Sequence, residues 1–125
     1  MSDKTTGMQR RRRGLAAEDL AAAHLLRSGM QIDARNVHCG RLGELDIVAR
    51  DGEYLVFVEV KSRRTPTYGA PEMAVGPSKQ RRIRRLALWY LHTNGLHGAP
   101  CRFDVVAVDY RGGVPQLRHI PNAFT

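Results

Sequence analysis

Gly43-Glu44-Leu45-Asp46 and Glu59-Val60-Lys61 place three acids and a lysine on either side of an almost wholly apolar segment, Tyr54-Leu55-Val56-Phe57-Val58. Like charges gathered beside a hydrophobic strand repel one another and call for a counter-charge. A divalent cation suits this donor set, because Mg²⁺ is bound through one or two carboxylates, its own waters and a substrate phosphate. Mn²⁺ is the alternative ion. Lys61 would add a fixed positive charge for a phosphate oxygen or an attacking water. The plain alternative is ordinary solvated charge, with Lys61 paired to Glu59 or Glu44. The spacing of the whole set around one apolar strand favours a site.

A hairpin would bring these groups together. Asp51-Gly52 is a strong two-residue turn signal between β-rich runs. With that turn, Arg50 faces Glu53, Asp46 faces Phe57 and Glu44 faces Glu59. Cross-strand partners and positions two apart share a face. Glu44, Asp46, Glu59 and Lys61 are therefore expected on one side, within about 5–8 Å of their neighbours.

Two helices flank the hairpin in the chain. Residues 14–29 read as a helix stopped by Gly29. Leu15, Ala22, Leu25 and Leu26 form its apolar stripe, Leu20 falls outside it, and Glu18 lies on the stripe. Packed on a sheet, Glu18 could reach Asp46 and Glu59. Read from the residues alone, it fits better as a helix-start carboxylate favoured by the dipole. The second helix runs from Ser78 to Asn94, with Ile83, Leu86, Ala87, Tyr90 and Leu91 on its apolar side. Lys79, Arg81, Arg82, Arg84 and Arg85 crowd its first two turns without an acid, opposing the dipole unless a phosphate binds there. Lys79 continues the apolar line and should lean toward the sheet. Lys79 and Gln80 are expected near a reacting phosphate, with Arg81, Arg82, Arg84 and Arg85 fanning outward along a duplex. Trp89, Tyr90 and Phe103 sit in apolar runs and read as core.

Strands are expected at 31–37, 44–50, 54–62, 102–110 and 114–120. Residues 63–77 read as a loop carrying Arg63, Arg64 and Tyr68, a basic clamp beside a phosphate site or a plain connection. Residues 1–13 read as a flexible basic tail, with Arg11 and Arg12 as candidate nucleic-acid contacts, ahead of one domain over 14–125. The fold class is α/β, a mixed sheet of about five strands flanked by helices. The strand at 102–110 should join 54–62 in parallel through the long helix, by a right-handed crossover.

Asp46, followed thirteen positions later by Glu59-Val60-Lys61, resembles the PD-(D/E)xK nuclease signature. Leu45 stands where that signature carries proline. From Gly14 to the C-terminus the chain more closely resembles the YraN family, small bacterial proteins predicted to be endonucleases and distantly similar to archaeal Holliday-junction resolvases. The matching features are Gly14 and Glu18, Gly43-Glu44-Leu45-Asp46, Glu59-Val60-Lys61, and Tyr68-Gly69 leading to Lys79. The resemblance implies a restriction-endonuclease-like sheet. It also implies that Asp46 and Glu59 bind metal, that Lys61 assists the nucleophile and that Glu18 completes the acidic cluster. Branched DNA as substrate, and a homodimer making two symmetric cuts, rest on the resolvase resemblance alone.

Composition agrees with a nucleic-acid partner. The 125 residues hold 20 Lys+Arg against 12 Asp+Glu, a formal charge of +8. Such an excess suits nucleic acid or an acidic membrane surface. No apolar run is long enough to span a bilayer, and no signal peptide is evident. Cys39 and Cys101 lack metal-ligand spacing and read as reduced cytoplasmic thiols. The five histidines are scattered and read as bystanders. The expected activity is metal-dependent hydrolysis of DNA phosphodiesters with little sequence preference. A non-catalytic nucleic-acid-binding module and an RNA-directed or scaffold role are its rivals.

Overall fold

The computed structural model describes residues 16–63 and 75–125. Residues 16–27 form helix α1. β1 (Gln31–His38), β2 (Glu44–Asp51), β3 (Tyr54–Arg63), helix α2 (Pro77–Thr93), β4 (Cys101–Asp109) and β5 (Gln116–Phe124) follow. The strands form one sheet in the order β1-β2-β3-β4-β5. β3 and β4 run parallel and every other neighbouring pair is antiparallel, so the sheet is mixed. The parallel pair needs a long connection, and α2 lies within it. The expected basic tail, with Arg11 and Arg12, lies outside the described residues, as do Leu15, Arg64, Tyr68 and Gly69.

Each helix covers one face of the sheet. Ala17, Ala21, Ala22 and Leu25 of α1 are buried with Ile47, Ala49, Val56, Val58, Val106 and Val108. Alanine and leucine are the strongest helix formers, and the small alanines let α1 lie close to the strands. Leu26, expected on this stripe, is 56 % exposed, whereas Leu20 packs against the cluster. The helix ends in paired bonds from Met30 N to Leu25 O and Gly29 N to Leu26 O, the two-bond C-terminal motif that satisfies its last carbonyls. On the opposite face Ile83, Leu86, Ala87 and Tyr90 of α2 pack over Val48, Leu55, Phe57 and Val105. Trp89 and Phe103 join that cluster half-buried. Pro77 opens α2 at a position whose N–H needs no helical partner.

The hairpin register differs from the expected one. Asp51 pairs with Tyr54 and Val48 with Phe57, so the two-residue loop is Gly52-Glu53 rather than Asp51-Gly52. Gly52 takes φ 59° at the first loop position, the one that favours glycine in a tight hairpin. The shift is two residues across the pair, so side-chain parity survives and the acids keep one face. The strand expected over 114–120 instead occupies Gln116–Phe124, past Pro121, as the edge of the sheet.

Candidate active site

The site forms where β2 and β3 part. Their pairing ends at Ile47 and Val58. Beyond that point the Asp46 carboxylate accepts the backbone N–H of Val60 at 2.9 Å. β3 continues alone with β4 as far as Arg63 and Asp109. The opened edge makes a small cleft of about 140 Å³, lined by Glu44, Asp46, Glu59, Lys79, Arg82 and the apolar Ile83 and Leu86. Strands supply the acids, and α2 supplies the cations.

Glu59 is the hub. Its Oε1 lies 2.9 Å from Lys79 Nζ and 3.4 Å from Lys61 Nζ. Lys79 therefore leans onto the sheet, as its place on the apolar line of α2 requires. Burial pushes the Asp46 carboxyl up to about 7, helped by the neighbouring charge of Glu59. The Val60 N–H opposes that rise without cancelling it. Burial, with the Lys79 ammonium beside it, holds Lys61 below the ordinary lysine range. Lys79 is also disfavoured by burial, but its contacts with Lys61, Glu59 and Asp46 win and raise it.

Glu18 joins from α1. Partial burial raises its pKa, Glu44 adds to the rise and Arg35 counters it. The connection to Glu44 runs through Asn36, a residue that sequence reasoning did not select. With its amide nitrogen turned toward the acids, Asn36 donates to Glu18 Oε1 at 2.9 Å, Glu18 Oε2 at 3.0 Å and Glu44 Oε1 at 3.1 Å. Asn36 adopts φ 52°, unusual inside a strand, between the pairs Arg35–Ile47 and Val37–Leu45 and so across from Asp46. Its only signal in the sequence is an asparagine within a strand, where that residue is depleted.

The remaining candidates separate. Arg82 is exposed and at the same time lines the cleft. Gln80 turns away, donating to the Val75 carbonyl at 2.9 Å. Arg84 is not extended along an open face, because its Nη1 donates to the Thr125 carbonyl at 2.7 Å. Arg81 and Arg85 are exposed, as expected. Arg63 ends β3 opposite Asp109.

A second polar assembly lies apart from the cleft. Asp104, 0 % exposed, accepts from Arg102 Nε at 2.9 Å and Nη2 at 3.0 Å, and from Asn122 N at 3.0 Å. It also meets His119 Nε2 at 2.7 Å, and His119 Nδ1 lies 3.1 Å from His24 Nε2. These bonds outweigh burial and lower the Asp104 pKa. They make the assembly a structural fastening of β4, β5 and α1. Its signal was an acid inside the apolar run Phe103–Val108.

Among the described residues, no three histidine, cysteine or acidic side chains stand close enough to hold a metal ion between them. No helix among them is long and apolar enough to cross a membrane.

Residues 17–108 match the model of the uncharacterised protein family UPF0102. A UPF0102 protein of Moorella thermoacetica is 54 % identical over 119 residues, covering 94 % of this chain and 98 % of its own. One from Geobacter sulfurreducens is 52 % identical over 112 residues, covering 89 % and 87 %. One from Syntrophus aciditrophicus is 48 % identical over 116 residues, covering 93 % and 91 %. The chain belongs to the UPF0102 family, the YraN family that its motifs resemble.

Proposed function

We propose that this UPF0102 protein is a metal-dependent endonuclease that hydrolyses DNA phosphodiester bonds with little sequence preference. The observation that carries this reading is a single cleft in which Glu44, Asp46 and Glu59 face Lys79 and Arg82. Acids on one wall suit a cation, and cations on the other suit a phosphate.

The donor set fits a hard divalent ion. All candidate ligand atoms are carboxylate oxygens, and Mg²⁺ needs only one or two of them because it keeps several waters. Burial and the Glu59 charge both disfavour ionised Asp46, and a bound cation would offset them. Asp46 and Glu59 would hold the ion, with Glu44 beside them and Glu18 supporting through Asn36. Mg²⁺ or Mn²⁺, when bound, would acidify a water and neutralise charge developing on the phosphate. Lys61 would orient the attacking water or hold a non-bridging oxygen. Lys79, already on Glu59, would keep the carboxylate oriented until substrate arrives. Arginines exposed on α2 would contact the backbone, giving weak sequence preference and steep salt dependence.

The test is cleavage of supercoiled, linear, single-stranded and four-way-junction DNA in Mg²⁺, Mn²⁺ and EDTA. Metal-dependent products are expected, and the preferred form names the substrate. No product under any metal would refute the enzyme.

A second reading is a nucleic-acid-binding module without catalysis. It is favoured by one observation: Glu59 is already neutralised by Lys61 and Lys79. That reading expects DNA binding to survive Glu59→Ala unchanged.

A further inference from the structure

The seat of Arg82 points to a role that the other arginines of α2 do not share. Gly43 and Arg82 are fitted to one another. A Cβ on Gly43 would stand 2.7 Å from Arg82 Nη2, 3.2 Å from Nε and 3.4 Å from Cζ, so the guanidinium rests where any other residue would carry its side chain. Gly43 also takes φ 146°, a conformation that side chains disfavour. The turn that presents it is fixed by bonds from Cys39 N to Gly43 O at 2.8 Å and from Leu42 N to Cys39 O at 3.0 Å. The same turn docks on α2 through the buried Cys39, whose thiol lies 3.9 Å from the Leu86 carbonyl.

The cations of the cleft are not equivalent. Lys61 and Lys79 are both held by Glu59. Among the described residues Arg82 makes no ion pair, although its head lines the cleft with three acids. Its fork of donors is therefore the part of the cleft left open to an anion. The cavity, at about 140 Å³, has room for roughly four or five waters. That is space enough for one phosphate group.

We propose that Arg82, seated on Gly43, receives the non-bridging oxygens of one phosphodiester and so sets the register of the nucleic-acid backbone against Asp46 and Glu59. The inference rests on the reading of the substrate as a phosphodiester. A guanidinium binds two phosphate oxygens at once in a fixed plane, which a lysine ammonium does not. Phosphate contacts position a strand without reading its sequence, so the effect should be the same on any sequence.

The experiment uses the full chain and a labelled duplex, made as DNA and as RNA of one sequence. Binding is followed by anisotropy in EDTA and in Ca²⁺, and DNA cleavage is followed separately in Mg²⁺. Arg82→Ala should weaken binding to both duplexes by about 10- to 100-fold. Arg82→Lys should recover little of it. Arg27→Ala, at the exposed end of α1 over the other face of the sheet, should change binding by less than about threefold. Gly43→Ala should displace the guanidinium and copy the loss, and the Gly43→Ala/Arg82→Ala pair should bind no more weakly than Arg82→Ala alone. Thermal melting checks that each variant is folded, and Arg82→Lys keeps the test decisive if Gly43→Ala is not. Wild-type binding by Arg82→Ala, full recovery by Arg82→Lys, or additive losses in the pair would overturn the proposal. Cleavage with Arg82-independent binding would sink this inference alone. Arg82-dependent binding without cleavage would sink only the nuclease.

Discussion

The Asp46 carboxylate takes the Val60 backbone N–H at 2.9 Å, standing in for the carbonyl that β2 would have offered had its pairing with β3 continued past Ile47 and Val58. One side chain thus stabilises the parting of two strands and is itself held beside Glu59. The cost of that placement is electrostatic, since a half-buried acid next to another acid resists ionisation.

This cost sets a pH dependence. Asp46 titrates at about 7 in the folded protein against 3.8 ordinarily, so the folded chain keeps a proton that the unfolded chain releases. Stability must then fall as pH rises from about 4 to about 7, by up to ~4 kcal/mol. Urea melts in EDTA should find Asp46→Asn more stable than wild type at pH 8 and equal to it near pH 4. Adding Mg²⁺ at pH 8 should raise the melting temperature of the wild type and leave Asp46→Asn unmoved. Equal stabilities at pH 8 would refute the assignment.

Asn36 separates support of the acids from support of the fold. Its φ of 52° suits glycine, whereas alanine there costs about 1–2 kcal/mol. Asn36→Gly should melt close to wild type, Asn36→Ala should melt lower, and both should lose most metal-dependent cleavage because Glu18 and Glu44 lose their shared donor. If Asn36→Gly cleaved normally, the amide would be a structural accident.

Asp104 should govern acid stability. Its pKa is lowered because bonds from His119, Arg102 and Asn122 overcome burial. The stabilisation is present above the ordinary aspartate pKa and is lost as pH falls through the lowered value. Asp104→Ala should cost about 3–5 kcal/mol at neutral pH, as removing one partner of a buried pair does. Chemical denaturation measures it, and a loss under about 1 kcal/mol would contradict this account.

Much of this was legible in the residues. Alternation and turn signals located all five strands, and an acid spacing with even parity put Glu44, Asp46 and Glu59 on one cleft. The register was not legible, because Asp51-Gly52 and Gly52-Glu53 are both acceptable loops and both keep the same side chains on each face of the sheet. The direction of Arg82 was hidden for a related reason. Helical spacing gives a side chain's azimuth, but the seat on Gly43 comes from a turn nearly forty positions earlier. Asn36 and the His24–His119–Asp104 chain are likewise contacts between distant segments, invisible to local pattern.

The central claim is that Asp46 and Glu59 form a metal-dependent phosphodiesterase centre. Nicking of supercoiled plasmid by the wild type, Asp46→Ala and Glu59→Ala, each confirmed folded and each assayed in Mg²⁺ and EDTA, tests it most directly. The wild type should nick in Mg²⁺ only, and neither variant should nick at all. Nicking retained by Glu59→Ala, or undiminished in EDTA, would contradict it.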